Sequence, residues 1–271
     1  MKGTAIELAK RLGDELAEAA TAGDAGRLAD LLRGGADVSS TDDEGWTTLM
    51  HATASRSAGC VRSLLPLVDP MRRSRAGETA LMVAVGMGWT EGAGLLLDAI
   101  GAEPRGHGRL CAALAHRNSA GETPLIMAAK GLHASCVSQL LPNSNANASD
   151  LLKRTALMWA AKGGEDEAAE CVETLLAASD ASKVDVKDWT ALHFAVAEGR
   201  PESVAILAPF FASQNACRES ILAVANGRGG EEGERIRQAL RRAIARREAA
   251  ELRSVVDGGF VGCASHRPLS L

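Results

Sequence analysis

The stretches Gly121-Glu-Thr-Pro-Leu-Ile-Met-Ala-Ala-Lys130 and Trp189-Thr-Ala-Leu-His-Phe-Ala-Val-Ala-Glu-Gly199 share one phrase: Thr-x-Leu, then Ala three residues after the Leu. The phrase also stands at Thr47, Thr79 and Thr155, giving five copies with Thr-to-Thr steps of 32, 44, 32 and 35. A second marker keeps phase with the first. Leu64-Leu65 and Leu140-Leu141 begin fifteen residues after Leu49 and Leu125, and Ile206-Leu207 follows Leu192 with one residue of slippage. Leu175-Leu176 lies eighteen after Leu157 because Gly-Glu-Asp-Glu is inserted after Gly163. Two phased markers make the chain a repeat array, and its 271 residues have room for roughly eight such units.

Each unit reads as two short helices. The Thr hydroxyl can accept from the free N–H groups of a helix start, and Pro124 sits where proline is best tolerated. The Leu and the Ala, three apart, share one face. Gly88, Gly164 and Gly199, seven residues after the Leu, are predicted as left-handed residues that end this first helix. A second amphipathic helix then carries the apolar pair. With 4 Trp, 4 Phe and no Tyr, the core has to be built from Ala, Leu, Val, Ile and Met. The small Ala lets neighbouring helix pairs approach closely.

This phrase resembles the ankyrin repeat, whose signature is T-P-L-H-x-A on a period of about 33 residues. The resemblance covers roughly residues 14–245. It makes residues 1–256 a single array with units at approximately 14–41, 42–73, 74–117, 118–149, 150–184, 185–217 and 218–256, and leaves 257–271 as a tail. The first and last are degenerate caps: Leu16, Ala19 and Gly23 lead to Leu31-Leu32, and Leu222 and Ala225 lead to Ile236 and Leu240. The resemblance implies an all-α solenoid of stacked helix-turn-helix units with short β-hairpin or loop connectors, Gly34-Gly-Ala-Asp-Val38 being one. Met50, Met82, Ile126 and Met158 replace the family's His, which only His193 keeps, and this implies a softer or differently packed hairpin side. Units of the form T-A-L-M-x-A are similar to those of arrays expanded in some protists. The 44-residue step adds an excursion between Asp98 and Asn118, with one helical turn predicted at 109–116, and 141–149 reads as an exposed loop.

Composition and motifs remove several classes of chemistry. A formal charge of −4 gives no global attraction to nucleic acid or anionic lipid. The scarcity of rings argues against aromatic platforms for single strands. The six cysteines form no C-x-x-C pair. Cys60, Cys136 and Cys171 each precede a Val and stand four residues before the apolar pair, one shared position that faces the stack as a buried small hydrophobe. Register says nothing of Cys111, Cys217 and Cys263. There is no H-E-x-x-H, G-x-S-x-G or G-x-x-x-x-G-K-[ST]. His193 and His133 fall on family positions, and His107, His116 and Cys111 share the excursion without a tetrahedral ligand set. Gly227-Arg-Gly-Gly-Glu-Glu-Gly233 follows no strand, lacks the Lys-Ser/Thr ending and reads as an elongated inter-helix loop. No catalytic residue, cofactor or metal site is expected. Scattered Cys, no apolar leader and no membrane-length apolar run point to a cytoplasmic protein.

What remains is a surface. In the ankyrin family the partner meets the hairpin tips and the exposed face of the first helices. The residue before each Thr lies there: Trp46, Glu78, Glu122, Arg154 and Trp189, with Lys130 and Lys162 on the first helices pointing the same way. Trp46 and Trp189 read equally as partner anchors or as packing on the next hairpin, whereas Trp89 and Trp159 read as packing within the array. The expected function is a monomeric, non-enzymatic scaffold for a protein partner. The alternative is contact with RNA or anionic membrane through a basic face of Arg241, Arg242, Arg246 and Arg247. A capping helix is the favoured reading of that segment, since an array needs a polar outer end.

Overall fold

Helices pair in sequence order, and the pairs stack along one direction. The computed structural model describes residues 2–102, 106–211 and 215–260. Helix α1 (Lys2–Thr21) pairs with α2 (Ala25–Arg33), α3 (Thr48–Ala54) with α4 (Ala58–Leu64), and α5 (Ala80–Gly86) with α6 (Thr90–Gly101). An additional helix, α7 (Gly106–Ala115), precedes the pair α8 (Pro124–Lys130) and α9 (Ala134–Leu140). Next come α10 (Ala156–Lys162) with α11 (Glu165–Leu176), and α12 (Ala191–Glu198) with α13 (Pro201–Phe211). The last pair is α14 (Asn215–Asn226) and α15 (Gly230–Phe260). First helices touch first helices from α1 through α3, α5, α8, α10 and α12 to α14. Second helices form a parallel row from α2 through α4, α6, α9, α11 and α13 to α15. This is the stacking of an all-α solenoid.

The repeated phrase accounts for the first helices α3, α5, α8, α10 and α12. Thr47, Thr79, Thr123 and Thr155 accept, through Oγ1, the N–H three residues on at 3.3, 3.4, 3.3 and 3.4 Å. Such a cap contributes about 1 kcal/mol. The Leu and Ala of all five phrases are buried. On the second helices Leu64, Leu96, Leu140, Leu175 and Leu207 are buried as well. Truncating one of these leucines to Ala would cost about 2–5 kcal/mol.

Ahead of each capping Thr the chain makes the same tight turn. Five residues before the Thr stands Asp42, Ser74, Asn118, Asp150 or Asp185, whose side-chain oxygen accepts main-chain N–H groups. Asp150 Oδ1 accepts from both Leu152 and Arg154 N–H at 2.8 Å. Two residues before the Thr the backbone is left-handed, with φ of 76°, 74° and 75° at Gly45, Gly77 and Gly121 and 58° and 59° at Lys153 and Asp188. Consecutive turns are then laced together. Arg75 N–H donates to the Glu44 carbonyl, Ser119 to Ala76, Leu151 to Ala120 and Val186 to Leu152, at 2.8, 2.8, 3.2 and 3.1 Å. Among the described residues β-pairing is limited to the isolated bridges Thr41–Thr47 and Ser149–Thr155.

The structure departs from expectation in four places. The excursion holds a ten-residue helix, α7, rather than one turn. It packs on α6 and leaves a cleft lined by Leu97, Leu110, Leu114 and Leu140. The stretch 141–149 contains a 3-10 turn, Leu141–Asn143, and buries Ala146. Gly88 and Gly199 are left-handed, but Gly164 is extended and caps the start of α11, because the inserted residues lengthen that helix at its N-terminal end. The left-handed role passes to Arg56 and Leu132 in the units that lack the Gly. Helix α15 begins at Gly230, so most of the glycine-rich run lies in its first turn, and it continues to Phe260, inside the expected tail. Pro104 of the excursion, Cys263 and residues 261–271 of the tail lie outside the described residues.

A Cβ on Gly121 would meet the Leu151 main-chain N at 2.9 Å, at the point where the next turn approaches, and its backbone is left-handed. Gly121→Ala is therefore expected to lower stability by about 1–3 kcal/mol. The effect should appear as a lower urea midpoint with unchanged far-UV circular dichroism. An unchanged midpoint would show that the close approach does not constrain the array.

Candidate binding surface

Three rows of side chains line the angle between the turns and the first helices. Before the Thr come Trp46, Glu78, Glu122, Arg154 and Trp189; four after it come His51, Val83, Met127, Trp159 and Phe194. Seven after it, Lys130 and Lys162 end α8 and α10. The turn residues tie the rows together with the atom that the turn itself leaves over. Asp42 Oδ2 meets His51 Nε2 at 3.0 Å, Trp159 Nε1 donates to Asp150 Oδ2 at 3.0 Å, and Asn118 Nδ2 donates to Glu122 Oε2 at 2.9 Å.

The rows converge on Trp159. Lys130 Nζ, the Arg154 guanidinium and Lys162 Nζ stand 5.0, 5.1 and 5.5 Å from its ring. Each is within the range where a cation is attracted to the indole quadrupole. Lys130 also donates to Glu122 Oε1 at 2.6 Å. Glu122 is itself buried, so it offers a partner the orientation of Lys130 more than its own carboxylate. Arg154 lies 5.4 Å from the Phe194 ring and 3.6 Å from the carboxylate of buried Asp185, and joins consecutive units. Glu78 adjoins this group. Its burial, and then the charge of Glu122, push its carboxyl above the usual range.

The structure thus gathers Glu78, Glu122, Lys130, Arg154 and Lys162. Trp46 sits further along the array, tilted against His51 with ring centroids 5.5 Å apart. Trp189 meets Phe194 edge-on at 5.3 Å and stacks near His193 at 5.9 Å. Both rings are half-buried, each packing on its own unit while keeping an exposed flank. Trp89 is buried over Gly92, as expected. Trp159, expected inside the array, is half-buried at the centre of the surface instead. Its indole N–H requires an acceptor, and Asp150 supplies one at the turn. The signal available in the sequence was its place four residues after a capping Thr, a row in which residue type varies freely.

The remaining sequence candidates are dispersed. Cys60, Cys136 and Cys171 are buried on second helices. Burial first, then Glu170 and Glu167, push the Cys171 thiol up to about 11. Exposed Cys111 has its Sγ 3.9 Å from His107 Nε2, while His116 turns away to the Gly77 carbonyl at 2.7 Å. Cys217 has no described side chain. On α15, Arg241 lies 3.8 Å from Glu234. Arg242 and Arg246 are exposed, and the side chain of Arg247 lies outside the described residues.

His193 differs from the Met and Ile that replace it elsewhere. The Thr190 N–H donates to its Nδ1 at 3.1 Å, and Thr190 Oγ1 lies 2.9 Å from the same atom. A main-chain N–H can only donate, so Nδ1 is an acceptor and the neutral ring carries its proton on Nε2. That proton points at Ser220 Oγ of the next unit, 2.6 Å away. Burial lowers the His193 pKa, and Asp185 partly opposes the shift.

The family model described as Ankyrin repeats (3 copies) matches residues 16–107, 102–188 and 133–218. No curated protein matches the chain.

The lowered His193 pKa sets a sign. As pH falls below the ordinary value of about 6.5, the unfolded chain takes up the proton first. The contribution of His193 to stability is therefore complete above that value and is lost as pH falls toward the lower folded pKa. The thermal midpoint is expected to drop more steeply for the wild-type chain than for His193→Met between about pH 7.5 and 5.5. Parallel slopes would show that protonation leaves this contact unchanged.

Proposed function

The chain belongs to the ankyrin repeat family, whose members are generally protein–protein interaction modules, and on that premise we propose that it is a non-enzymatic scaffold that captures a partner protein on the face centred on Trp159. The observation that carries this reading is the convergence of Lys130, Arg154 and Lys162 on one half-buried indole. Trp and Arg are the residue types most often found at energetic centres of interfaces. Asp150 holds Trp159, Asp185 holds Arg154 and Glu122 holds Lys130, so less conformational entropy remains to be lost on binding. Trp46 and Trp189 extend the face on either side. The scaffold acts as a monomer in the cytoplasm, where three buried free thiols suit reducing conditions.

A second reading has one observation in its favour. Arg235, Arg242, Arg246 and Arg253 are exposed at helical spacing along α15, a basic edge of the kind that meets RNA or anionic membrane. Glu202 pairs with Arg235 at 3.1 Å and dilutes it.

Capture from native cell lysate separates the two. Trp159→Ala combined with Lys162→Glu is expected to reduce partner capture by at least about tenfold. Arg242→Glu combined with Arg246→Glu should leave capture unchanged. The reverse pattern would move the binding function to α15.

A further inference from the structure

We infer that the Trp159 face receives an extended, acidic peptide segment carrying aliphatic side chains, laid across the turns that precede α10 and α12. The inference rests on the scaffold reading and adds the chemistry of the partner. Six large apolar side chains are exposed among the described residues, and four of them, Leu151, Leu152, Val184 and Val186, belong to these two adjacent turns. Leu151 is 72% and Val186 53% exposed. The bond from Val186 N–H to the Leu152 carbonyl joins the turns, so the four form one patch. The other two, Leu67 and Phe210, stand elsewhere. Scattered apolar residues on a surface are ordinary, but a cluster of this kind marks a contact.

Charge supplies the second observation. Five of the chain's seven lysines are Lys130, Lys153, Lys162, Lys183 and Lys187, all around this patch, while apart from Lys2 and Lys10 Arg carries the positive side-chain charge of the rest. Four of these five are exposed, and Lys162 is half-buried. Three carboxylates of the same region point inward. Glu122, Asp150 and Asp185 are buried beneath the cations, on Lys130, on Trp159 Nε1 and on the turn N–H groups. Asp180, close to Lys183, and Asp188 are the exposed carboxylates of this stretch. The outward face therefore combines lysines with aliphatic groups, and its complement is acidic and aliphatic.

Geometry favours a peptide over the other polyanions. The leucines and valines stand at the turn tips, while Trp159 sits in the angle behind, bonded to the turn by Asp150 and flanked by Lys162 at the end of α10. A flat bilayer reaches the tips alone, and a phosphate backbone has no use for Leu151 or Val186. An extended chain turns alternate side chains to opposite sides. It can place aliphatic groups on the tips and carboxylates toward Lys130 and Lys162.

The test titrates the full chain into a fluorescent peptide of about twelve residues with Glu and Leu alternating, read by anisotropy. Binding is expected to weaken at least about tenfold as salt rises from about 50 to 300 mM. Lys130→Glu with Lys162→Glu, and separately Leu151→Ser with Leu152→Ser, should each weaken it at least about fivefold with unchanged circular dichroism. A peptide with Lys in place of Glu should not bind. The proposal is overturned if the acidic peptide fails to bind, if the Lys peptide binds as well, or if both variants bind normally. It is overturned equally if phosphatidylserine vesicles or polyuridine bind more tightly and lose that binding in the same variants. Failure of the peptide while Trp159→Ala still abolishes partner capture removes only this chemistry. Partner capture that survives Trp159→Ala removes the scaffold reading beneath it.

Discussion

The side chain five residues before each capping Thr sets the geometry on which the rest of the array depends. Asp42, Asn118, Asp150 and Asp185 each accept main-chain N–H groups through one oxygen, and Ser74 does so with its hydroxyl. A turn closed in this way exposes its next N–H and carbonyl edge-on, so the turns can bond to one another along the stack. Buried polar groups have to be paired, and here the pairing satisfies the turn and orients the neighbouring unit together. Helix packing supplies the larger apolar term, and the turns add a directional link from each pair to the next.

The same residues build the surface. The atom that the turn leaves over reaches His51, Glu122 or Trp159, so the exposed groups are anchored from below. Arg154 and Asp185 extend this across a unit boundary. Loss of the family His from four units does not unlace the hairpin side, because the ladder between turns runs through main-chain atoms. His193 adds a side-chain contact to Ser220 of the next unit. Solenoid stability is a sum of unit and interface terms, and here helix packing, the main-chain ladder between turns and side-chain contacts such as Arg154–Asp185 and His193–Ser220 all contribute to the interface terms.

Much of the fold was legible from particular residues. Five Thr caps, the Leu and Ala behind them and the buried Cys60, Cys136 and Cys171 all follow from spacings inside a single unit. The glycines were less readable. Gly88 and Gly164 occupy the same place after their Leu, yet one ends a helix and the other starts one, because four inserted residues extended α11 backward. Gly230 to Gly233 looked like a loop, but the first turn of α15 absorbs them. The turn residues were in plain register and were missed, since Asp, Ser and Asn share no letter and only their common acceptor oxygen unites them.

The sequence by itself determined the repeat, its caps and its apolar faces, because these are properties of neighbours within one or two helical turns. It also named Glu122, Lys130, Arg154 and Lys162 as members of one strip. Only the tertiary structure decided that they meet at Trp159, that Arg154 is largely enclosed and that the turns before α10 and α12 form one apolar patch. Arg154 and Lys162 meet Trp159 within one unit, whereas Lys130 with Trp159, Arg154 with Asp185 and Val186 with Leu152 join consecutive units, roughly one 33-residue period apart in the chain. Their distances depend on the angle at which each pair is set on the last, and spacing along the sequence carries no record of that angle.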